Sequence, residues 1–531
     1  MNQVSHTKSA NDLVGDINAN LQEMSSQVEV AVTDSADEFV GKLNTAFANV
    51  DGKVVLSKDM DAEAFVSNLN TNFEASEHSG GEEEPVTELY DSTVFDGEMA
   101  STLNDIRSLK KEDSLLMLMS TDLHKEDDYV PVFTKCLIPN QKEFIRRANT
   151  TGIGVDAVVC LGDFTDGMRP DKNQLISFVQ PMVTDFKSMG KTLLFAIGNH
   201  DTNRDSNQGE ILTFKEQCDL YLNDVVSYTS RNLQQDSWDG NKESFVDYSM
   251  DFDEKKIRVI VLGSYERTSS VGGRWGFLTA TIDYLESQLA DMVANKSGYK
   301  AVILCHIHTR SLVQNSMNTP AVNKFVELVG STYKNHILIY IAGHSHVDDV
   351  YAGCYINYYH NELVHFPMIS ALIGCNKSED TSGGVDVQEN NIFGWYKYHR
   401  GSWVGGAAAK SPSTANCDLW DAVLVTPSES RVDMIRFGAG VNRHIHLTEI
   451  ECAPEESVVL TPQVATSDNG EWCIKPEPVK DMTTYALNSA HRDATVLNGN
   501  VTVNAGITAG TRICVYYKTE AAREYWSIKV I

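Results

Sequence analysis

Five short apolar runs in this sequence each end in a cluster of carboxylate, carboxamide or imidazole groups. Residues 115–119 lead to Asp122-Leu123-His124, and 157–161 to Gly162-Asp163-Phe164-Thr165-Asp166. Residues 193–197 lead to Gly198-Asn199-His200-Asp201, 301–304 to His306-Ile307-His308, and 337–341 to Gly343-His344-Ser345-His346. These side chains are hard or borderline oxygen and nitrogen donors, and no thiolate is required. Such a set suits Zn, Mn or Fe. Two cations share a site of this kind readily if one carboxylate bridges them. Each fragment alone is common, since Gly-Asp is an ordinary turn and most histidines after strands are structural. Their order, each after an apolar run, is what points to one metal centre.

The runs predict the scaffold. Short apolar stretches, several of them rich in β-branched residues, at 115–119, 157–161, 193–197, 257–262, 301–304 and 337–341 alternate with amphipathic stretches such as 142–148, 174–188 and 281–293. Buried strands alternating with helices argue an α/β layered domain. In open α/β sheets ligands bind beyond the carboxyl ends of the strands, where these clusters fall. The glycines before Asp163, Asn199 and His344 are expected to let the chain turn sharply there.

Taken together these motifs resemble the calcineurin-like metallophosphoesterase family, over roughly residues 114 to 446. The resemblance implies a four-layer α/β/β/α sandwich. It implies two divalent or trivalent transition-metal ions, Mn, Zn or Fe. One would be held by Asp122, His124, Asp163 and His346, the other by Asp163, Asn199, His306 and His344, with Asp163 bridging. His306 is preferred to His308 because it lies nearer the strand end. His200 would act as a general acid or charge stabiliser rather than as a ligand. The implied reaction is hydrolysis of a phosphate mono- or diester by in-line attack of a hydroxide held between the metals. Asp166 and Asp201 are candidates for orienting neighbouring histidines or capping the following helix. Arg204 is a candidate phosphate contact or a plain surface arginine. Trp275-Gly276-Phe277 is expected to pack in the core.

Flanking segments suggest further modules. The pattern at 13–21 recurs at 39–47 and at 65–73, an offset of 26 residues each time. The last two copies follow β-rich runs at 28–32 and 54–56, so each unit reads as a short strand and a short helix, with Asp34 or Ser35 as a cap. One unit cannot bury its own apolar face and must stack on a neighbour or another chain. Residues 1–75 therefore read either as an assembly or attachment module or as an ordinary small domain that is internally duplicated, and they are similar to modules at the start of phage tail- or virion-associated enzymes. Residues 76–113 read as an acidic linker and a helix on which Met99, Leu103, Ile106 and Leu109 recur. The metallophosphoesterase domain then occupies 114–448. Residues 449–531 resemble a separate all-β bacterial immunoglobulin-like domain, with a hairpin turning at Asn498-Gly499.

Composition narrows the function classes. The 531 residues carry 44 basic and 73 acidic side chains, a net charge of −29. Such a chain repels nucleic acid, so a nuclease on this fold is disfavoured and no nucleic-acid partner is expected. No run reaches the ~18 apolar residues of a membrane helix, so no membrane insertion is expected. The start lacks the pattern of a secretory signal. The ten cysteines contain no C-x-x-C pair and read as buried thiols of a cytoplasmically synthesised protein. The partner called for is a phosphate ester substrate, with self-association or virion attachment through 1–75. The competing reading is a non-catalytic structural or receptor-binding virion protein that keeps the phosphoesterase fold as a scaffold.

Overall fold

The computed structural model describes residues 17, 35–46, 56, 57, 59, 64–69, 92–124, 132–203, 210–232, 246–266, 274–309, 319–344, 348–357, 362–372, 397–399, 402–404, 414–466, 469–474 and 493–531. The chain divides into two compact units, Met1–Tyr90 and Asp91–Ile531.

In the first unit the 26-residue repeat is structural. Ile17, Leu43 and Leu69, at one position of the three copies, are all fully buried. Phe39 meets its counterpart Phe65 with ring centroids 6.4 Å apart, so these copies stack on each other within one chain. Ala36–Ala46 is helical. Its start is closed by a reciprocal cap in which Ser35 N–H donates to Glu38 and Glu38 N–H donates to Ser35 Oγ. Leu56 lies outside any strand. The Asn44 carboxamide donates to its carbonyl and accepts from its N–H, both at 2.9 Å. The β-rich run at 28–32 lies outside the described residues.

The second unit is built on two large sheets. Strands β1 (Leu115–Ser120), β2 (Ala157–Cys160) and β3 (Thr192–Phe195) lie parallel in the first. Strands β4 (Ile257–Leu262), β5 (Lys300–Cys305) and β6 (Ile337–Ala342) lie parallel in the second. The period of two along a strand assigns their faces. Ile257, Val259, Val261, Val302, Leu304, Ile339 and Ile341 join the core of the first sheet. The intervening Ile260, Leu262, Ile303 and Tyr340 pack under helices Thr279–Asn295 and Thr319–Glu327. Phe277 belongs to that layer, 4.8 Å from the Phe325 ring, as core packing requires.

Helices also cover the first sheet. Lys172–Lys187 places Phe186 edge-on to Phe195 of β3 at 5.3 Å. Asp96–Leu109 buries Met99, Leu103 and Ile106, while Leu109 is only partly buried. The preceding Phe95 stacks on Phe437. This helix, read from sequence as part of a linker, is thus an integral piece of the second unit. Residues 74–85 lie outside the described residues.

The tail differs from its expected separateness. Strands β7 (Leu419–Thr426), β8 (Arg431–Gly438) and β9 (Asn442–His446) extend the first sheet from β1, all antiparallel. β9 then pairs in parallel with β11 (Ala522–Val530), which pairs with β10 (Arg512–Lys518). The boundary expected at 448/449 therefore falls inside a continuous sheet. The alternation along β10 gives the reason. Ile513, Val515 and Tyr517 face a core of the tail's own, whereas Cys514 and Tyr516 join the main core. The Asn498-Gly499 hairpin forms as expected, with both residues at positive φ (49° and 80°), as a type I′ turn demands.

Cys160, Cys218, Cys305, Cys452, Cys473 and Cys514 are unbridged, and all of these but Cys473 are buried. No helix among the described residues is long and apolar enough to cross a membrane.

Candidate metal centre

The carboxyl ends of β1, β2, β3, β5 and β6 converge. Asp122 N–H donates to the Gly162 carbonyl and His124 N–H to the Asp163 carbonyl. His344 N–H donates to Asp122 Oδ2 at 2.9 Å, and Gly343 N–H to the His306 carbonyl. These strand ends are thus stitched to one another by bonds from backbone N–H groups.

Asp163 sits at the centre and is 1% exposed. Its Oδ2 lies 3.1 Å from His306 Nε2 and 3.5 Å from His124 Nε2. Two groups of donor atoms share it: His124, Asp163 and His200, and Asp163, His306 and His344, each lying within 4.8 Å of one another. Asp122 Oδ1 is 3.7 Å from His124 Nε2. Asn199 Oδ1 is 3.2 Å from His306 Nε2. His306 is fully buried, and His308, also buried, has its ring 6.1 Å from that of His344. His346 and Arg204 lie outside the described residues.

Backbone conformation marks the same residues. Asp122, His124, Asp163 and His344 all have positive φ, at 52°, 42°, 54° and 68°. Left-handed backbone is costly for residues with a Cβ, about 1–3 kcal/mol each, and clusters at functional sites. Of the three glycines expected to turn the chain, only Gly162 has positive φ, at 98°; the others serve close approach. A Cβ on Gly162 would lie 2.6 Å from Gly198 N, and one on Gly343 would lie 2.0 Å from Thr121 Oγ1. They let neighbouring strand ends approach each other.

Hydrogen bonds fix the imidazole tautomers. His306 Nδ1 faces the Leu161 carbonyl at 2.7 Å and His200 Nδ1 faces the Asp166 carbonyl at 2.5 Å. A carbonyl only accepts, so Nδ1 carries the hydrogen and Nε2 is the atom turned to chemistry. Asp166 thus orients His200 through its backbone. Its carboxylate accepts instead from Thr165 Oγ1 and Met168 N–H. The following helix is capped by Asp171, whose side chain accepts from Asn173 and Gln174 N–H. Among the described residues Asp201 orients no histidine. Its two oxygens accept from the N–H groups of Asp163, Phe164 and Gly198. Thr121, which donates to Asp122 Oδ2 at 2.8 Å, carries no sequence signal beyond its place next to Asp122.

The electrostatics ask for a cation. Burial alone would raise the Asp163 carboxyl, but His306, His200 and His124 hold it well below the usual carboxylate range. Burial opposes a charge on His306, yet Asp163, Asp122 and Asp201 push it up to about 9. Burial and the neighbouring Asp163 push Asp201 up to about 7. A field that holds a proton on a buried imidazole equally favours a metal ion, and the donors are those that Zn, Mn and Fe prefer. The residues present fit a two-metal centre.

Residues 117–348 match the calcineurin-like phosphoesterase family. Among curated proteins none matches the sequence. Similar solved structures include a dimetal phosphatase from Danio rerio, 11% identical, with a TM-score of 0.40, covering 63% of this chain and 99% of that one. Another is the purple acid phosphatase PPD1 from yellow lupin (Lupinus luteus) seeds, 13% identical, with a TM-score of 0.34, covering 61% and 52%. A third is a 5′-nucleotidase precursor from Thermus thermophilus, 12% identical, with a TM-score of 0.28, covering 50% and 49%. The chain carries a calcineurin-like metallophosphoesterase domain, which is that of a hydrolase of phosphoric esters. Such domains typically bind a dinuclear metal centre.

Proposed function

We propose that the protein hydrolyses a phosphate mono- or diester with two transition-metal ions held at this site. Asp122, His124, Asp163 and His346 would hold one ion, and Asp163, Asn199, His306 and His344 the other. The observation that carries this reading is the sharing of buried Asp163 by two groups of donors. When bound, the ions supply charge neutralisation for the phosphoryl oxygens and an acidified water.

The chain's own residues do the rest. Asp163 keeps its charge because three imidazoles surround it. The Leu161 carbonyl locks His306 with Nε2 toward Asp163 and Asn199. His200, half-buried beside His124 with ring centroids 4.6 Å apart, is held through Nδ1. Its Nε2 is therefore the atom that passes a proton to the leaving oxygen.

For the first unit we propose a role in self-association or in attachment to a larger particle, supported by its internal duplication. Light scattering on the full chain and on a chain lacking residues 1–75 tests it; equal oligomeric states and equal attachment would remove the role. The catalytic reading is tested by assaying mono- and diesters side by side after reconstitution with Mn, Zn or Fe. Turnover that requires metal and fails in Asp163→Asn supports it, and turnover indifferent to metal defeats it.

A further inference from the structure

Buried Asp421, Arg436 and Arg443 form a cluster with partly buried Asp348. Asp421 on β7 is fully buried and stands opposite Met119 of β1, three residues before Asp122. Across to β8 it faces Arg436, whose Nε and Nη2 donate to its two oxygens at 3.0 and 3.2 Å. Arg443 on β9, fully buried, donates to the same carboxylate. Both arginines then reach Asp348, four residues after His344: Arg436 Nη2 at 2.5 Å and Arg443 Nη1 at 3.1 Å from its Oδ1. Gly440, with φ +116°, leaves room for the pair; a Cβ there would lie 3.0 Å from Arg436 Nη1 and 3.3 Å from Asp348 Oδ2.

The placement matters. The segment carrying His344 leaves β6 in the second sheet, while Asp421, Arg436 and Arg443 belong to the first. At its near end the segment is tied to the Asp122 carboxylate by the His344 N–H. At its far end it is tied to the first sheet through Asp348. Both ends are thus referenced to β1, the strand that delivers Asp122 and His124. Two cations and two anions balance, which is what lets Asp421, Arg436 and Arg443 stay in the interior.

We propose that Asp348, clamped by Arg436 and Arg443 on Asp421, is a positioning residue that sets His344 for metal binding. The inference rests on the two-metal reading above. Its effect is expected on metal affinity, because groups that orient ligands typically contribute about 10–100-fold.

The test is metal affinity of the full chain, measured with Mn²⁺ by competition against a chelator, alongside thermal unfolding of the metal-free protein. Asp348→Asn is expected to weaken the binding of one of the two ions by about tenfold or more. Asp433→Asn is the control. It breaks the buried Arg431–Asp433 pair at the other end of β8, and is expected to lower Tm while leaving both affinities within about twofold. If Asp348→Asn does not fold, Asp348→Glu, which keeps the charge but shifts the carboxylate by one methylene, is read the same way. Wild-type affinities in a folded Asp348 variant, or equal affinity losses in the Asp433→Asn control, overturn the inference. A wild-type chain that binds none of Mn²⁺, Zn²⁺ and Fe²⁺ overturns the two-metal reading instead, so the two failures are distinct.

Discussion

The His344 N–H donates to Asp122 Oδ2 at 2.9 Å, across 222 positions of sequence. The bond joins the end of β1 in one sheet to the end of β6 in the other. Asp122 therefore has two tasks, since one carboxylate both faces His124 and fixes the backbone of a second ligand.

His200 lies within ligand distance of His124 and Asp163, yet its proposed task is proton transfer. His200→Ala should retain two metal ions per chain and lose about 10²–10⁴-fold in kcat. Metal analysis beside steady-state kinetics checks this. Loss of one ion would make His200 a ligand.

Asp201 Oδ2 accepts from both Asp163 and Gly198 N–H. In Asp201→Asn the amide NH₂ can be turned to only one of the two positions, and either choice leaves backbone donors unsatisfied. Each orphaned donor costs about 1–3 kcal/mol. Denaturant unfolding should register a loss of that size, and an unchanged midpoint would remove the assignment.

Gly343→Ala places a methyl group against Thr121 and Asp122. Overpacking of this kind costs about 1–3 kcal/mol. Because the clash falls on a ligand, metal affinity should drop with Tm. A Tm loss at unchanged affinity would show that the strand ends relax without moving Asp122.

Asp247 is buried away from the metal residues, where it accepts from Asn232, Gly263 and Thr281. Burial pushes its carboxyl from 3.8 up to about 6. The native state then holds this proton more tightly than the unfolded state does. Through this group stability falls as pH rises from about 4 to about 6, by roughly 3 kcal/mol. Urea titrations of metal-free protein across that range should show the fall. Asp247→Asn should flatten it, and an equal slope in the variant would contradict the assignment.

Much of this was legible in the text of the chain. Strands β1 to β6 begin and end within about two residues of the apolar runs, because strands buried on both faces leave an unbroken apolar signature. The clusters at their ends were readable for the same reason, as polar groups interrupting that signature. Asp348, Asp421, Arg436 and Arg443 were not readable. Each is an ordinary charged residue until the register of β1, β7, β8 and β9 brings them together. The tail misled because β10 alternates as any two-faced strand does, and alternation does not say that its second face is the core of another module. The roles of Asp166 and Asp201 were not readable because Asp166 acts on His200 through its backbone carbonyl and Asp201 accepts from backbone N–H groups, and a sequence displays neither.

The most direct test of the central claim is metal content and phosphoesterase turnover measured together on wild type and Asp163→Asn. The account predicts close to two transition-metal ions per wild-type chain, and a variant that loses metal and falls to background turnover. Hydrolysis that persists at the wild-type rate in Asp163→Asn, or in protein stripped of metal, would contradict it.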